Sequence, residues 1–153
     1  MIHLDNFQIN MDAVISSFLN SQTNLTFCTS SGDIPYCANC FYAWDEQLNL
    51  LIFKSSEETN HIQQALKNDH IAGTILPDKL EKGKIRGIQF SGTFSIPSGE
   101  SLVLAKETYY KKYPFARVFS GEIWAIQLEK IKMTDNTLGF GKKLLWEREK
   151  ENI

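Results

Sequence analysis

Residues 85–96 read IRGIQFSGTFSI, and their alternation decides the fold class. Ile88, Phe90, Phe94 and Ile96 fall on one face with Arg86, the period of two that a half-buried strand imposes. Gly92 interrupts that face, which implies a bulge or the close approach of another group. Downstream, Trp124, Ile126 and Leu128 alternate in the same way, and Ile131 and Met133 continue on shifted parity. A bulge near Glu129–Lys130 reconciles the two halves of that strand. Leu138–Trp146 then closes the sheet.

Working towards the N-terminus, Ile71–Leu76 reads as another strand, followed by a polar loop over Pro77–Lys84. Leu48–Lys54 is too short and too apolar to be anything but a buried strand. Ser55 and Ser56 stop it and offer N-cap oxygens to a short helix through Thr59–Lys67, with Ile62, Ala65 and Leu66 facing inward. Leu25–Ser30, a Ser31-Gly32-Asp33 turn and Tyr36–Trp44 read as a hairpin. Asn10 caps a first helix whose apolar stripe is Met11, Val14, Ile15, Phe18 and Leu19. A third helix starts at Ser98 and lines up Leu102, Ala105, Tyr109 and Tyr113 before Pro114 ends it. Six or seven strands joined by hairpins, with three short helices, predict a mainly β (α+β) antiparallel barrel with peripheral helices.

The chain has 153 residues, 42% hydrophobic and 22% charged, with no repeat or linker, so residues 1–153 read as a single domain. A chain of this length buries roughly 68–70% of its unfolded surface and needs no disulfide or metal to fold. The net charge of −2 argues against a nucleic-acid binder. No apolar run is long enough to cross a membrane, and His3, Asp5 and Asp12 stand where a secretory signal wants a basic start and an apolar core. The expected compartment is the cytoplasm. Charge is uneven: residues 1–60 carry seven acids and one base, and the remainder 15 bases and 11 acids. That is either solvated surface or a second half that supplies cations to an anion held by the first.

Three cysteines are present, Cys28, Cys37 and Cys40. The Cys37-x-x-Cys40 spacing suggests zinc or redox chemistry, but on a strand residues three apart face opposite ways, and no further ligands complete a tetrahedral site. Structural thiols, reduced in the cytoplasm, are the expectation.

Two segments could carry chemistry. Residues 54–61, KSSEETNH, gather hydroxyls and a histidine at a strand-to-helix junction, where free N–H groups favour a phosphate. Ordinary capping, with Glu57 and Glu58 answering the helix dipole, is the competing reading. Residues 134–146, TDNTLGFGKKLLW, combine two glycines, two lysines and a tryptophan able to stack on a flat ring; a plain turn with solvated lysines accounts for them as well. Neither a Walker loop nor a G-x-S-x-G elbow occurs.

The segment FYAWDEQLNLLIFKSSEETNHIQQALKNDHIAGTI (41–75), followed by IRGIQFSGTFSI, resembles the FMN-binding split barrels related to pyridoxamine 5′-phosphate oxidase. YPFARVFSGEIWAIQL (113–128) and MTDNTLGFGKKLLW (133–146) look like the bacterial YhbP-type branch. The likeness runs from about Leu25 to Trp146. It implies a homodimer with FMN at the subunit interface and Ala38, Asn39, Cys40 and Phe41 along the flavin ring. Lys54, Ser55 and Ser56 would face the ribityl phosphate. Thr59-Asn60-His61 matches the family's Ser/Thr-x-Lys/Arg phosphate step, with His61 where a cation is usual. Asn136, Lys142 and Trp146 would come from the partner's tail. Arg86 is the buried-side cation to watch, although an ion pair explains it equally well. The resemblance implies an FMN-dependent oxidoreductase acting on an unassigned small molecule, with FMN held weakly. The residues the oxidase uses for its own substrate have no counterparts, so that reaction is not expected. A non-catalytic flavin- or haem-binding module is the alternative.

Overall fold

The computed structural model describes residues 11–139 and 141–149. Seven strands form one antiparallel sheet: β1 (Asn24–Ser31), β2 (Ile34–Asp45), β3 (Leu50–Ser55), β4 (His70–Ile75), β5 (Arg86–Ser95), β6 (Glu122–Asp135) and β7 (Lys143–Glu147). Their order is β3-β2-β1-β4-β5-β6-β7, and a further pairing of β3 with β6 closes the first six into a ring. The edge of β6 is divided. Its first part, to Gln127, pairs with β3, and its second part, from Lys130, pairs with β7. This is the split barrel.

The division falls at the bulge that the parity change predicts. Ser91 lies opposite Lys130 and Gly92 opposite Leu128, so Glu129 is the extra residue. Its backbone carbonyl is satisfied by the N–H of Arg148 (2.8 Å). Gly92 is there because a Cβ would sit 2.4 Å from the carbonyl oxygen of Gln127, well inside contact distance.

Helix α1 (Ala13–Ser21) is capped by Asp12, whose carboxylate accepts the Val14 N–H at 2.8 Å. Asn10, the cap expected from sequence, lies outside the described residues. Ile15, Phe18 and Leu19 bury into the barrel, and the Tyr42 hydroxyl bonds the Leu19 carbonyl (2.7 Å). Helix α2 (Asn60–Lys67) follows β3. Ile62 and Ala65 are buried as expected, but Leu66 is 41% exposed, because an eight-residue helix turns only a narrow stripe inward. Helix α3 (Gly99–Lys112) begins at Ser98, linked to Ser101 by two hydrogen bonds. It packs Ala105 and Tyr109, with Tyr113, over Ala43, Ile52 and Ile123 on the outer sheet face.

Strand limits differ from the sequence reading at several ends: β7 starts at Lys143 and not at Leu138, because Asn136–Leu138 form a 3-10 turn, and β2 starts at Ile34, because Gly32 and Asp33 alone make the hairpin turn. Strand β3 starts at Leu50, since the Asp45 carboxylate holds the Leu48 N–H (3.0 Å) and Asn49 adopts φ +52° inside the turn. Ile96 lies past the end of β5 and is exposed. The barrel interior is centred on Phe27, Phe53, Phe94 and Trp124, whose neighbouring rings lie 5.3–6.5 Å apart. No described helix is long and apolar enough to cross a membrane.

Candidate functional site

The junction between β3 and α2 is built around His61. Its Nε2 lies 2.7 Å from the Ser55 hydroxyl and 3.3 Å from the Thr59 hydroxyl, and the ring stands edge-on to Phe27 at 6.0 Å. The Thr59 proton goes to the Ser56 carbonyl (2.8 Å), so towards His61 that oxygen can only accept. A protonated Nε2 satisfies both hydroxyls; a bare Nε2 satisfies Ser55 alone. Burial pushes the imidazole below its ordinary pKa, because desolvation disfavours the charged form. At neutral pH His61 is therefore a hydrogen-bonding group more than a cation.

Thr59, not Ser55 or Ser56, occupies the N-cap, and it accepts no N–H from the first turn of α2. The Ser56 side chain is exposed. The Glu57 N–H is taken by the Glu122 carboxylate at 3.2 Å, so one donor of the approach to the helix is already spent on an acid.

Lys54 is held by its own chain. Its ammonium donates to the Tyr110 hydroxyl (2.9 Å) and to the carbonyls of Ala116 (2.8 Å) and Phe119 (2.6 Å). It ties the end of β3 to the 3-10 turn Pro114–Val118 on the α3 side of the sheet. Arg117, which the sequence did not single out, lies 4.6 Å from the Tyr110 ring centre and is exposed. Its place among aromatics in YPFARVF was the available signal.

On β2, alternation divides the four expected flavin-facing residues. Asn39 and Phe41 are exposed, whereas Cys40 is buried and Ala38 half-buried. Burial pushes the Cys40 thiol up to about 12. Cys37 is exposed, so the two thiols of the C-x-x-C do face opposite ways. No cluster of three or more metal-ligating side chains occurs among the described residues.

The remaining expected residues lie at the opposite end of the barrel. Arg86 starts β5 opposite Asp135, while the junction lies by the Ser95 end; nine steps of strand put them about 30 Å apart. The Arg86 guanidinium stacks on Phe18 (5.6 Å). Asn136 accepts from the Ile85 N–H (2.8 Å) and donates to the Gly83 carbonyl (2.9 Å), pinning the turn before β7. Lys142 is exposed; Trp146 is packed in the core at 7% exposure. Phe140, between the two tail glycines, lies outside the described residues. A single chain therefore keeps the hydroxyl–imidazole junction and the glycine–lysine tail apart.

No family model matches the chain. A UPF0306 protein of Yersinia pseudotuberculosis is 40% identical over 135 residues, covering 88% of this chain and 92% of its own length, and a UPF0306 protein of Yersinia pestis matches equally. The chain belongs to the UPF0306 family. Among solved structures, the UPF0306 fold resembles a haem-binding protein from Mycobacterium smegmatis (TM-score 0.73, 14% identity, 85% of this chain). The chain spans about half that protein, 55%. It also resembles a FAD-binding protein from Mesorhizobium loti (TM-score 0.67, 12% identity, 82% and 95% of the two chains). A Listeria innocua protein provisionally described as a pyridoxamine 5′-phosphate oxidase aligns with TM-score 0.61 and 20% identity, over 78% and 94% of the two chains. At these identities the likeness shows the fold alone, a split barrel.

Proposed function

We propose that this UPF0306 chain is a homodimeric FMN-binding protein of the YhbP type, an oxidoreductase on a small molecule, with each flavin held between two copies. The observation that carries the reading is the junction at α2: a helix start whose cap residue takes no N–H, flanked by the hydroxyls of Ser55, Ser56 and Thr59 and by His61. Hydroxyl and N–H donors of this kind fit a phosphate monoester. Glu57, Glu58 and Glu122 beside them do not, and with Lys54 engaged, the compensating cations would come from Arg117 or from the partner's Lys142. Bound flavin would supply the two-electron chemistry, and the chain's residues would hold and orient it.

The two-copy arrangement has its own support. Phe41 (58% exposed), Phe115, Val118 (84%) and Phe119 (62%) form an apolar surface beside the Lys54–Ser55 end of β3. Exposed apolar surface of this kind supports the two-copy reading. A partner seated there could also bring its tail to the junction that its own fold keeps distant.

The test is titration of flavin-free protein with FMN, followed by quenching of flavin fluorescence at pH 6 and pH 8. The expected result is saturable quenching, tighter at pH 6, because a phosphate stabilises the imidazolium of His61 that burial disfavours. Absence of quenching at both pH values would remove the flavin reading. The M. smegmatis likeness supports a second reading, a non-catalytic haem-binding module; a Soret shift on titration with haemin, with no response to FMN, would select it.

A further inference from the structure

The hairpin turn sets two cysteines face to face. Gly32 and Asp33 both adopt positive φ, +56° and +62°, the type I′ turn that matches strand twist and fixes a two-residue loop. The register follows: Ser31 pairs with Ile34, and Cys28 lies opposite Cys37. The Tyr42 N–H bonds the Thr23 carbonyl (2.9 Å), so in this ladder the hydrogen-bonded pairs fall at odd positions of β1. Cys28–Cys37 is thus a non-hydrogen-bonded pair, the type with Cα atoms about 4.5 Å apart and side chains closest. That spacing lies inside the range a disulfide spans, ~4.4–6.8 Å. Pro35, in the same phase opposite Ser30, agrees, since its missing N–H is not called for there. The two Sγ atoms are 3.0 Å apart.

Both sulfurs can be reached. Cys37 is exposed and Cys28 half-buried, and Cys28 lines an open cavity of about 710 Å³ with His70, Ser91, Thr93 and Glu129. Burial, then the hydrogen bond and charge of Cys37, push the Cys28 thiol up to about 11. Cys28 therefore keeps its proton, and the exposed Cys37 meets an incoming oxidant first.

We propose that Cys28 and Cys37 form a reversible dithiol–disulfide couple, oxidised by hydroperoxides and reduced by small thiols. The Cys37 thiolate attacks the terminal oxygen of the hydroperoxide; the O–O bond breaks, an alcohol (water, from hydrogen peroxide) leaves after taking a proton, and Cys37 becomes a sulfenic acid. The Cys28 sulfur then attacks Cys37 Sγ, the S–O bond breaks, and water departs with the Cys28 proton. Two thiols lose two electrons and the hydroperoxide gains them. Two small thiols reverse the change through a mixed disulfide and leave as their own disulfide. The couple is independent of the flavin reading.

The test uses reduced, flavin-free, full-length protein and one equivalent of hydrogen peroxide, followed by denaturation and maleimide labelling. Untreated protein takes up three labels, matching its three cysteines; oxidised protein should take up one, lose two hydrogens in intact mass, and recover all three after dithiothreitol. Cleavage before Asp33 separates Cys28 from Cys37 and Cys40, and the two peptides should stay joined until reduced. Cys40→Ala should form the same link, and Cys37→Ser should not. Three labels after peroxide, links between chains instead of within one, or a link that vanishes in Cys40→Ala would each overturn the proposal.

Discussion

Replacing Lys54 with methionine keeps most of the aliphatic stem and deletes the ammonium, and so separates its two possible roles. The geometry makes it an anchor: three hydrogen bonds join the end of β3 to Tyr110 and to the carbonyls of Ala116 and Phe119. A hydrogen bond to a charged group contributes about 1.5–3 kcal/mol when buried. Two of these are part-buried and one is exposed, so screening and non-additivity reduce the sum to about 2–4 kcal/mol. With a urea slope of about 2 kcal/mol per molar, the midpoint of unfolding should fall by roughly 1–2 M. Tyr110→Phe alone should cost about 1 kcal/mol, and the double variant less than the sum of the two, since they share a bond. FMN affinity should fall no more than a few-fold. A stable Lys54→Met protein that binds FMN tenfold more weakly would refute the assignment and return the ammonium to the phosphate.

Two further outcomes follow. Gly73→Ala would place a Cβ 2.3 Å from both Phe90 Cζ and the Thr26 carbonyl oxygen; because one clash is with backbone, a loss of about 3 kcal/mol or more is expected, and a midpoint within error of wild type would contradict the β1–β4–β5 register. Burial lowers the pKa of His61 below its ordinary 6.5, so the folded state binds fewer protons than the unfolded one. Its contribution is present above pH 6.5 and lost as the pH falls from there through the lower folded value. Urea midpoints at about pH 7.5 and pH 5 should differ less in His61→Gln than in wild type, and equal acid sensitivity would deny the burial.

Much of the barrel was legible because alternation reports it. The parity change between Leu128 and Ile131 located the bulge at Glu129, and Gly92 marked the close approach of the Gln127 carbonyl. The closure of β3 on β6 was not legible, since pairing between distant strands leaves no periodic trace. Side-chain direction at strand ends was also hidden: the long stem of Lys54 could reach either side of the sheet, and only the packing of the Pro114–Val118 turn decides. The spacing Cys37-x-x-Cys40 drew attention within one strand, whereas the thiol facing Cys37 lies across the hairpin at Cys28. Legible in principle from the Gly32-Asp33 turn, that pairing required the register to be counted. For the proposed site, the hydroxyls and His61 at the junction could be named, but not their hydrogen bonds, nor the distance to the tail.

In the proposed dimer two chains share each flavin, and the decisive experiment is sedimentation of the protein with added FMN, followed at the flavin absorbance. Flavin should co-sediment with a dimer, near one per chain, and should run free whenever the dimer is broken by a charge placed at Phe119. A monomer that carries flavin, or a dimer that leaves it behind, would overturn the shared site.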